Sequence, residues 1–119
     1  LTPTFLDFCG EKIPRTMSGV SQKSVWLGKK RSARGSVIVE NRHQPTKVYH
    51  RSYVDKRYKI TVYYNQTYGE LFDLQEDPGE INNLWDDPKC KDLKGELLLK
   101  YIHAELGKEP IWMPRVWGA

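Results

Sequence analysis

The stretch that decides the fold is Tyr58-Lys59-Ile60-Thr61-Val62-Tyr63-Tyr64. Its large apolar members stand at every second position: Tyr58, Ile60, Val62 and Tyr64. Successive side chains of a β-strand point to opposite faces of the sheet, so these four share one face. Lys59, Thr61 and Tyr63 share the other. The stretch therefore predicts a strand that turns one face towards a core.

Three further strands lie around it in the sequence. Ser36 to Glu40 is a short β-branched run, residues 48–54 form a second strand, 57–64 form the third and Tyr68 to Leu74 form a fourth. Tight turns around Asp55-Lys56 and over residues 65–67 join neighbouring strands. Four strands with short turns favour an antiparallel meander.

A helix is predicted after the sheet. Asp87 can cap this helix, and Pro88 fits its first position. Apolar residues at helical spacing then form a stripe that Gly107 ends: Leu93, Leu97, Leu98, Tyr101, Ile102 and Leu106. We expect this stripe to cover the apolar face of the sheet.

The residues before the sheet predict short helices. Thr2 can cap a helix that has Pro3 at its first position and ends at Gly10, and residues 21–27 can form one or two further turns. A helix this short is stable only when it docks on a surface. The residues expected to dock are Phe5, Leu6 and Cys9.

Together these elements predict an α+β fold, with a roughly four-stranded antiparallel sheet, a C-terminal helix packed on one face and short helices before it. We expect a single domain over residues 1–119. It would comprise a linker-like helical and loop segment (1–35), the sheet plus helix (36–106) and a tail (107–119). The tail carries Trp112, Met113 and Trp117, so we expect it to lie against a surface.

Composition excludes some classes of protein and leaves others open. The hydrophobic share of 39% and the charged share of 29% are those of a globular chain, and no apolar run is long enough to span a membrane. The net charge of +4 is unevenly spread, since residues 1–64 hold 13 Lys and Arg against four acids, and residues 65–119 hold six against 11. Either the basic part faces an anion, or the two parts compensate each other.

No reaction centre or metal site is predicted in this chain. Cys9 and Cys90 could pair with each other or be ordinary thiols, and no zinc spacing accompanies them. Asp86-Asp87 is better explained by helix capping than by metal binding, because no third ligand is placed nearby. The motifs of serine hydrolases, phosphate-binding loops and zinc proteases are missing.

Two stretches resemble the C-terminal part of a sulfatase of the alkaline phosphatase superfamily. The first runs from Thr2-Pro3-Thr4-Phe5-Leu6-Asp7 through Gly10, Pro14 and Ser18-Gly19-Val20-Ser21 to Gly28. The second runs from Arg57-Tyr58-Lys59-Ile60 through Gly69-Glu70-Leu71-Phe72-Asp73-Leu74 and Asp77-Pro78 to Asn83-Leu84 and Asp87-Pro88. The chain departs from the family pattern at Ser18, where Asp is usual, and at Val54, where a basic residue is common.

The resemblance implies that this chain is one domain of a larger enzyme and that catalysis takes place in another domain. Sulfatases cleave sulfate esters with a formylglycine, made from Cys or Ser in a C-x-P-x-R motif, and with a calcium ion. The residues after Cys9 and Cys90 do not match that motif. Formylglycine and calcium are therefore expected in a catalytic domain before Leu1, against which this domain would pack. The expected substrate is a sulfated glycan or an aryl sulfate, and the expected location is periplasmic or secreted.

Four residues are candidates for bordering the substrate pocket. Arg42 and His43 are expected in the loop after the first strand, and His50 and Arg51 on the next strand. Arginine binds sulfate through a charge-assisted fork, and histidine can donate as well. The alternative, that these residues are solvated or structural, stays open.

A second hypothesis is a stand-alone basic module that binds sulfated glycans or other anions. Its cations would include Lys29, Lys30, Arg31 and Arg34. Nucleic-acid binding has no motif to support it. An isolated chain would expose an apolar docking face, through which self-association is also expected.

Overall fold

The computed structural model describes residues 1–43 and 48–108. Its helices are α1 (Thr2–Phe8), α2 (Lys23–Trp26) and α3 (Lys91–Leu106), the last preceded by a 3₁₀ turn at Pro88–Cys90. Its strands are β1 (Val37–His43), β2 (Val48–Val54), β3 (Tyr58–Tyr63) and β4 (Gly69–Asp73). Residues 1–35 and 36–106 belong to two different compact units, and each is described by itself. The tail residues Trp112, Met113 and Trp117 lie outside the described residues.

The second unit is an antiparallel meander in which the strands pair in the order β1-β2-β3-β4. The register aligns Ile38, Tyr53, Ile60 and Leu71 across the four strands. Tyr53, Ile60 and Leu71 are buried, and together with Leu97 of α3 they form the core. The α+β fold predicted from the alternation is confirmed: one face of the sheet is covered by the C-terminal helix.

The first strand is longer than predicted. Pairing with β2 continues through Asn41–His50, Arg42–Tyr49 and His43–Val48, so β1 ends at His43 rather than at Glu40. Arg42 and His43 therefore lie in a strand and not in the loop where the sequence placed them. The reason is that backbone hydrogen bonds to a partner strand can extend a strand through polar residues.

Asp87 is a cap as predicted, and its side-chain oxygen accepts a hydrogen bond of 2.9 Å from the Lys89 amide, but the turn that it caps is the 3₁₀ turn Pro88–Cys90 and α3 begins at Lys91. Leu97 is fully buried, with Leu93, Leu98 and Tyr101 packed around it. The prediction was wrong for Ile102 and Leu106, which are exposed. At about 100° per residue they point roughly 140° and 180° away from Leu97, so they face away from the sheet.

Helix α1 is anchored differently from the prediction. Leu1, not Thr2, is its N-cap, because the Leu1 carbonyl accepts from the amides of Thr4 and Phe5. Of the residues expected to dock, Cys9 is exposed, and Phe5 contacts the ring of Trp26 but keeps 56% of its surface exposed. The helix stops at Gly10 as predicted, in the left-handed conformation with φ of 77°.

Polar contacts hold α1 and α2 together. Pro3 and Thr4 are the buried residues of α1, and the Thr4 hydroxyl accepts from the amide of Gln22 at 3.0 Å. The Lys23 ammonium forms a salt bridge of 3.2 Å with Asp7, which also accepts from the Ser21 hydroxyl. These contacts explain why the buried face of α1 is centred on Thr4 rather than on its larger apolar residues.

Candidate functional site

The structure brings two of the four predicted site residues together. Arg42 of β1 and Arg51 of β2 both lie on the helix-covered face, and both guanidinium groups contact the ring of Tyr49, at 5.0 and 5.6 Å from its centroid. His50 is adjacent to Arg51 in β2, so its side chain points to the opposite face. The backbone of His43 ends β1, and its side chain lies outside what the structure describes.

Arg51 is held between two carboxylates. Its guanidinium lies 3.1 Å from Glu40 of β1 and 3.3 Å from Glu105 of α3. Burial opposes its positive charge, but Glu105 and Glu40 outweigh that effect and raise the pKa of Arg51 above its usual value. Arg51 therefore ties two strands to the end of α3, and its charge is largely compensated within the fold. Arg42 is exposed and forms no ion pair within the described residues.

An open cleft of about 180 Å³ lies beside this network. Its lining comprises three tyrosines and three residues of the central strands: Tyr49, Tyr64, Tyr101, His50, Arg51 and Val62. The rings of Tyr49 and Tyr64 lie 5.8 Å apart, and the Tyr64 amide donates to the Tyr49 carbonyl at 2.8 Å. The cleft thus offers aromatic faces next to the exposed guanidinium of Arg42.

Tyr101 contributes a neutral hydroxyl to the cleft. Burial, helped by the negative charge of Glu105, raises the pKa of Tyr101 to about 12. A phenol that stays protonated at neutral pH can both donate and accept a hydrogen bond. Sequence reasoning missed all three tyrosines as site residues. The available signals were the position of Tyr64 on the apolar face and that of Tyr101 one turn after Leu97.

His50 lies in a second aromatic cluster. Its ring is 5.0 Å from that of Tyr63, and its Nδ1 is buried with no hydrogen-bond partner among the residues that the structure describes. The Tyr63 hydroxyl donates to Glu70 at 3.0 Å. Burial and this carboxylate raise the pKa of Tyr63 to about 12. His50 therefore has an unused polar atom, but it is not part of the pair formed by Arg42 and Arg51.

The most specific sequence motif is architectural. Arg57 donates two hydrogen bonds to one oxygen of Asp73, at 2.8 and 3.0 Å. The other oxygen of Asp73 accepts from the amides of Gln75 and Glu76. The hydrogen bonds from Arg57 lower the pKa of Asp73, and the two backbone amides act in the same direction against the opposing effect of burial. Arg57 and Asp73 thus close the β3–β4 pair at the point where the chain leaves the sheet.

Asn83 has a similar role beside β4. Its side-chain oxygen accepts from the amides of Leu71 and Trp85, each at 3.0 Å, and its side-chain nitrogen donates to the Gly69 carbonyl at 3.0 Å. The Leu84 amide also donates to the Leu71 carbonyl at 2.8 Å. Asn83 therefore fixes the segment after the Asp77-Pro78 turn along β4.

The described residues do not fit the cofactors of a sulfatase. Residues 1–43 and 48–108 contain no group of three or more His, Cys, Asp or Glu side chains that could hold a metal ion. Cys9 and Cys90 are free thiols, the first exposed and the second half-buried, and neither lies in a formylglycine motif. No helix in these residues is long and apolar enough to cross a membrane.

Comparison with known proteins supports the resemblance seen in the sequence. The sequence profile of the family described as "N-sulphoglucosamine sulphohydrolase, C-terminal" matches residues 1–106. A Delta 4,5-hexuronate-2-O-sulfatase of Bacteroides thetaiotaomicron is 32% identical over 108 residues, which are 86% of this chain and 22% of that protein. The chain thus spans about a fifth of the length of this relative.

Solved structures show the same fold. A 2-O GAG sulfatase superimposes with a TM-score of 0.73 at 31% identity, over 89% of this chain and 24% of the other. A protein solved with its substrate D-glucosamine-2-N,6-O-disulfate gives a TM-score of 0.78 at 24% identity, over 91% of this chain and 24% of the other, and this likeness concerns the fold alone. With the match over residues 1–106, the chain belongs to the N-sulphoglucosamine sulphohydrolase C-terminal family, a family of sulfatase domains.

Proposed function

We propose that this chain is the C-terminal domain of a sulfatase and acts on sulfated sugars together with a catalytic domain. The observation that carries the proposal is the family match over residues 1–106, combined with a sulfatase relative of which the chain covers 22%. Formylglycine and calcium would belong to the catalytic domain, which corresponds to the rest of that relative. In a sulfatase these two groups supply the nucleophile and the Lewis acid.

This chain would contribute to substrate binding through the cleft. Tyrosine rings present flat apolar surfaces on which a sugar ring can stack, and the guanidinium of Arg42 can bind a sulfate or carboxylate through two hydrogen bonds. The compensated charge of Arg51 makes Arg42 the better anion ligand of the two. The substrate class is supported by relatives named as a hexuronate 2-O-sulfatase and a 2-O GAG sulfatase. His43, and His50 on the other face of the sheet, remain candidates for bordering the substrate pocket of the complete enzyme.

The surface proposed to meet the catalytic domain is the valine face, formed by Val37, Val39 and Val48. The register places these three side chains on one face of the β1–β2 pair, opposite to α3. They are between 43% and 49% exposed, which is high for β-branched residues of paired strands. Because β1 is an outer strand of the sheet, Arg42 near its end would border the substrate pocket from the margin of this face. In the absence of the catalytic domain, the same face would bring two copies of the chain together. By family, a periplasmic or secreted location is proposed.

An activity assay of the chain and of the complete product of its gene tests whether catalysis lies in another domain. The gene product should hydrolyse a sulfated unsaturated disaccharide or an aryl sulfate and lose turnover when a chelator removes calcium. The 119-residue chain alone should show no turnover. Hydrolysis by the chain alone would contradict the placement of the chemistry in another domain.

The substitution Arg42→Ala in the gene product tests the cleft. A charge-assisted hydrogen bond contributes about 1.5–3 kcal/mol, so kcat/KM for a sulfated disaccharide should fall about tenfold or more. Lys89→Ala is the matched control, because Lys89 is an exposed cation outside the cleft. An unchanged kcat/KM in Arg42→Ala would remove Arg42 from the substrate site.

A further inference from the structure

The first compact unit carries a surface that the proposed function does not use. We call it the cationic loop: Lys29, Lys30, Arg31 and Arg34, all of which are exposed. Four positive charges fall within six consecutive positions, with no acidic residue among them. In residues 1–43 and 48–108, none of the four forms a salt bridge. Lys23, by contrast, is paired with Asp7.

The backbone of the cationic loop is held in place by hydrogen bonds. Gly28 adopts φ of 70° at the end of α2, and the amides of Lys29 and Lys30 then donate to the Ser24 carbonyl at 2.8 and 3.0 Å. The Ser32 hydroxyl donates to the Arg34 carbonyl at 2.5 Å and accepts from the Arg34 amide at 3.2 Å. A ligand would therefore meet cations on an ordered backbone, which lowers the entropy lost on binding.

Arg34 can both anchor this loop and offer hydrogen-bond donors to a ligand. One of its terminal nitrogens donates to the Ser18 carbonyl at 2.6 Å, which fixes the loop to the preceding segment. The carbonyl uses only part of the guanidinium's five donors, so the others stay open to an anion. The side chains of Lys29, Lys30 and Arg31 have no such tie and can adapt to spaced negative charges.

We propose that the cationic loop binds a sulfated polysaccharide. Several unpaired cations on one short loop suit a ligand with repeated anionic groups, because each contact releases counterions from such a polymer. Nucleic acid is disfavoured, since single strands are bound by aromatic stacking and no aromatic residue lies within residues 27–36. The nearest aromatic, Trp26, is 52% exposed and its ring lies 6.5 and 6.1 Å from those of Phe5 and Phe8. Comparison with single-stranded DNA is therefore part of the test. The choice of sulfate as the anion rests on the proposed function.

The test is binding of the 119-residue chain to heparin, measured by affinity chromatography and by calorimetry over a series of NaCl concentrations. We expect retention, with a dissociation constant that rises steeply with salt. The variant Lys29→Glu/Lys30→Glu should bind on the order of tenfold more weakly or worse. The control variant Lys89→Glu/Lys91→Glu makes the same change in net charge on the other unit and should stay within about twofold of the wild type. Both lysines of each pair are exposed, so circular dichroism should show folded proteins.

Each result supports the inference or overturns it. Equal losses in the two double variants would show that heparin responds only to net charge, and would overturn it. Tighter binding to single-stranded DNA or to anionic phospholipid vesicles than to heparin, at the same salt, would also overturn it. Failure of the proposed function would appear as an inactive gene product, whereas failure of this inference would appear as lost discrimination between the two double variants.

Discussion

At the scale of single residues, close packing determines that position 69 is a glycine. A Cβ at this position would lie 2.6 Å from two ring carbons of Trp85 and 2.7 Å from the Thr61 carbonyl. The carbonyl belongs to the backbone of the neighbouring strand, so the overlap cannot be relieved by rotating a side chain. Glycine at the start of β4 is therefore required by the approach of Trp85 to the sheet.

The substitution Gly69→Ala should lower the free energy of unfolding by about 1–3 kcal/mol, because it overpacks this contact. Gly95→Ala is the matched control. Gly95 lies inside α3, where a Cβ would meet no atom of another element within 4 Å, and alanine should stabilise the helix there by roughly 0.5–1 kcal/mol. Urea denaturation of both variants measures the two effects, and equal effects would contradict this account of Gly69.

The Arg57–Asp73 pair predicts a pH dependence. The pKa of Asp73 is lowered in the folded protein, so the fold binds the ionised carboxylate more favourably than the protonated one. Its contribution to stability is therefore complete above the unfolded-state pKa of about 3.9 and is lost as pH falls through the lower folded-state pKa. Asp73→Asn should be less stable than the wild type at pH 7, and the difference should shrink at pH 3. Urea unfolding at both pH values measures it, and a constant difference would show that Asp73 does not titrate with folding.

At the scale of elements, α3 has one buried stripe and a second apolar line that faces away from the sheet. Leu97 has no exposed surface, whereas Leu99 is 56% exposed two positions later on the same helix. The exposed apolar residues of α3 also include Ile102 and Leu106. Helix position, rather than residue type, therefore determines what each leucine contributes.

The pair Leu97→Ala and Leu99→Ala tests this difference. Truncating Leu97 creates a cavity against Ile60 and Leu71 and should cost about 2–5 kcal/mol. Truncating Leu99 should change stability by about 0.5 kcal/mol or less, because its side chain is largely in solvent. Thermal or urea unfolding gives both values. A large loss in Leu99→Ala would show that this side of the helix is covered in solution.

The strands could be predicted because their signal is local. Alternation in residues 58–64 fixes the face of β3, and the register then carries that face to the other three strands. The polar end of β1 could not be predicted, since Asn41-Arg42-His43 has no alternation and owes its strand form to β2. For α3, the spacing allowed both Leu97 and Ile102 as inward residues. Only contact with the sheet decides between them.

At the scale of the whole molecule, the excess of basic residues in the first half of the sequence can be compared with the ion pairs in the structure. The basic side chains differ in whether they are paired with carboxylates. The four cations of the cationic loop are all exposed, whereas Arg51 and Arg57 of the sheet unit are paired with carboxylates. The ion pairs agree with the compensation hypothesis for part of the sheet unit, and the hypothesis that the basic part faces an anion stays a prediction. Within the described residues, Arg51 and Arg57 are compensated locally, whereas Arg42 and the four cations of the loop form no salt bridge.

The candidate site could be predicted only in part, because its residues come from distant parts of the sequence. Arg42 and Arg51 were selected for their chemistry, and the sheet register brings them to one tyrosine. Tyr64 and Tyr101 are 37 positions apart in the sequence and share a cleft only because α3 packs over the sheet. The chemical group that each residue offers can thus be assigned from the sequence. The neighbouring residues that modify its behaviour are known only from the tertiary packing.

The hydrogen bonds around Asn83 also determine how the sheet can grow. β4 is one of the two outer strands, and its Gly69 carbonyl and both polar backbone groups of Leu71 are already occupied by Asn83 and Leu84. A strand from another polypeptide would have to displace these bonds before it could pair there. These bonds therefore oppose extension of the meander at the β4 margin.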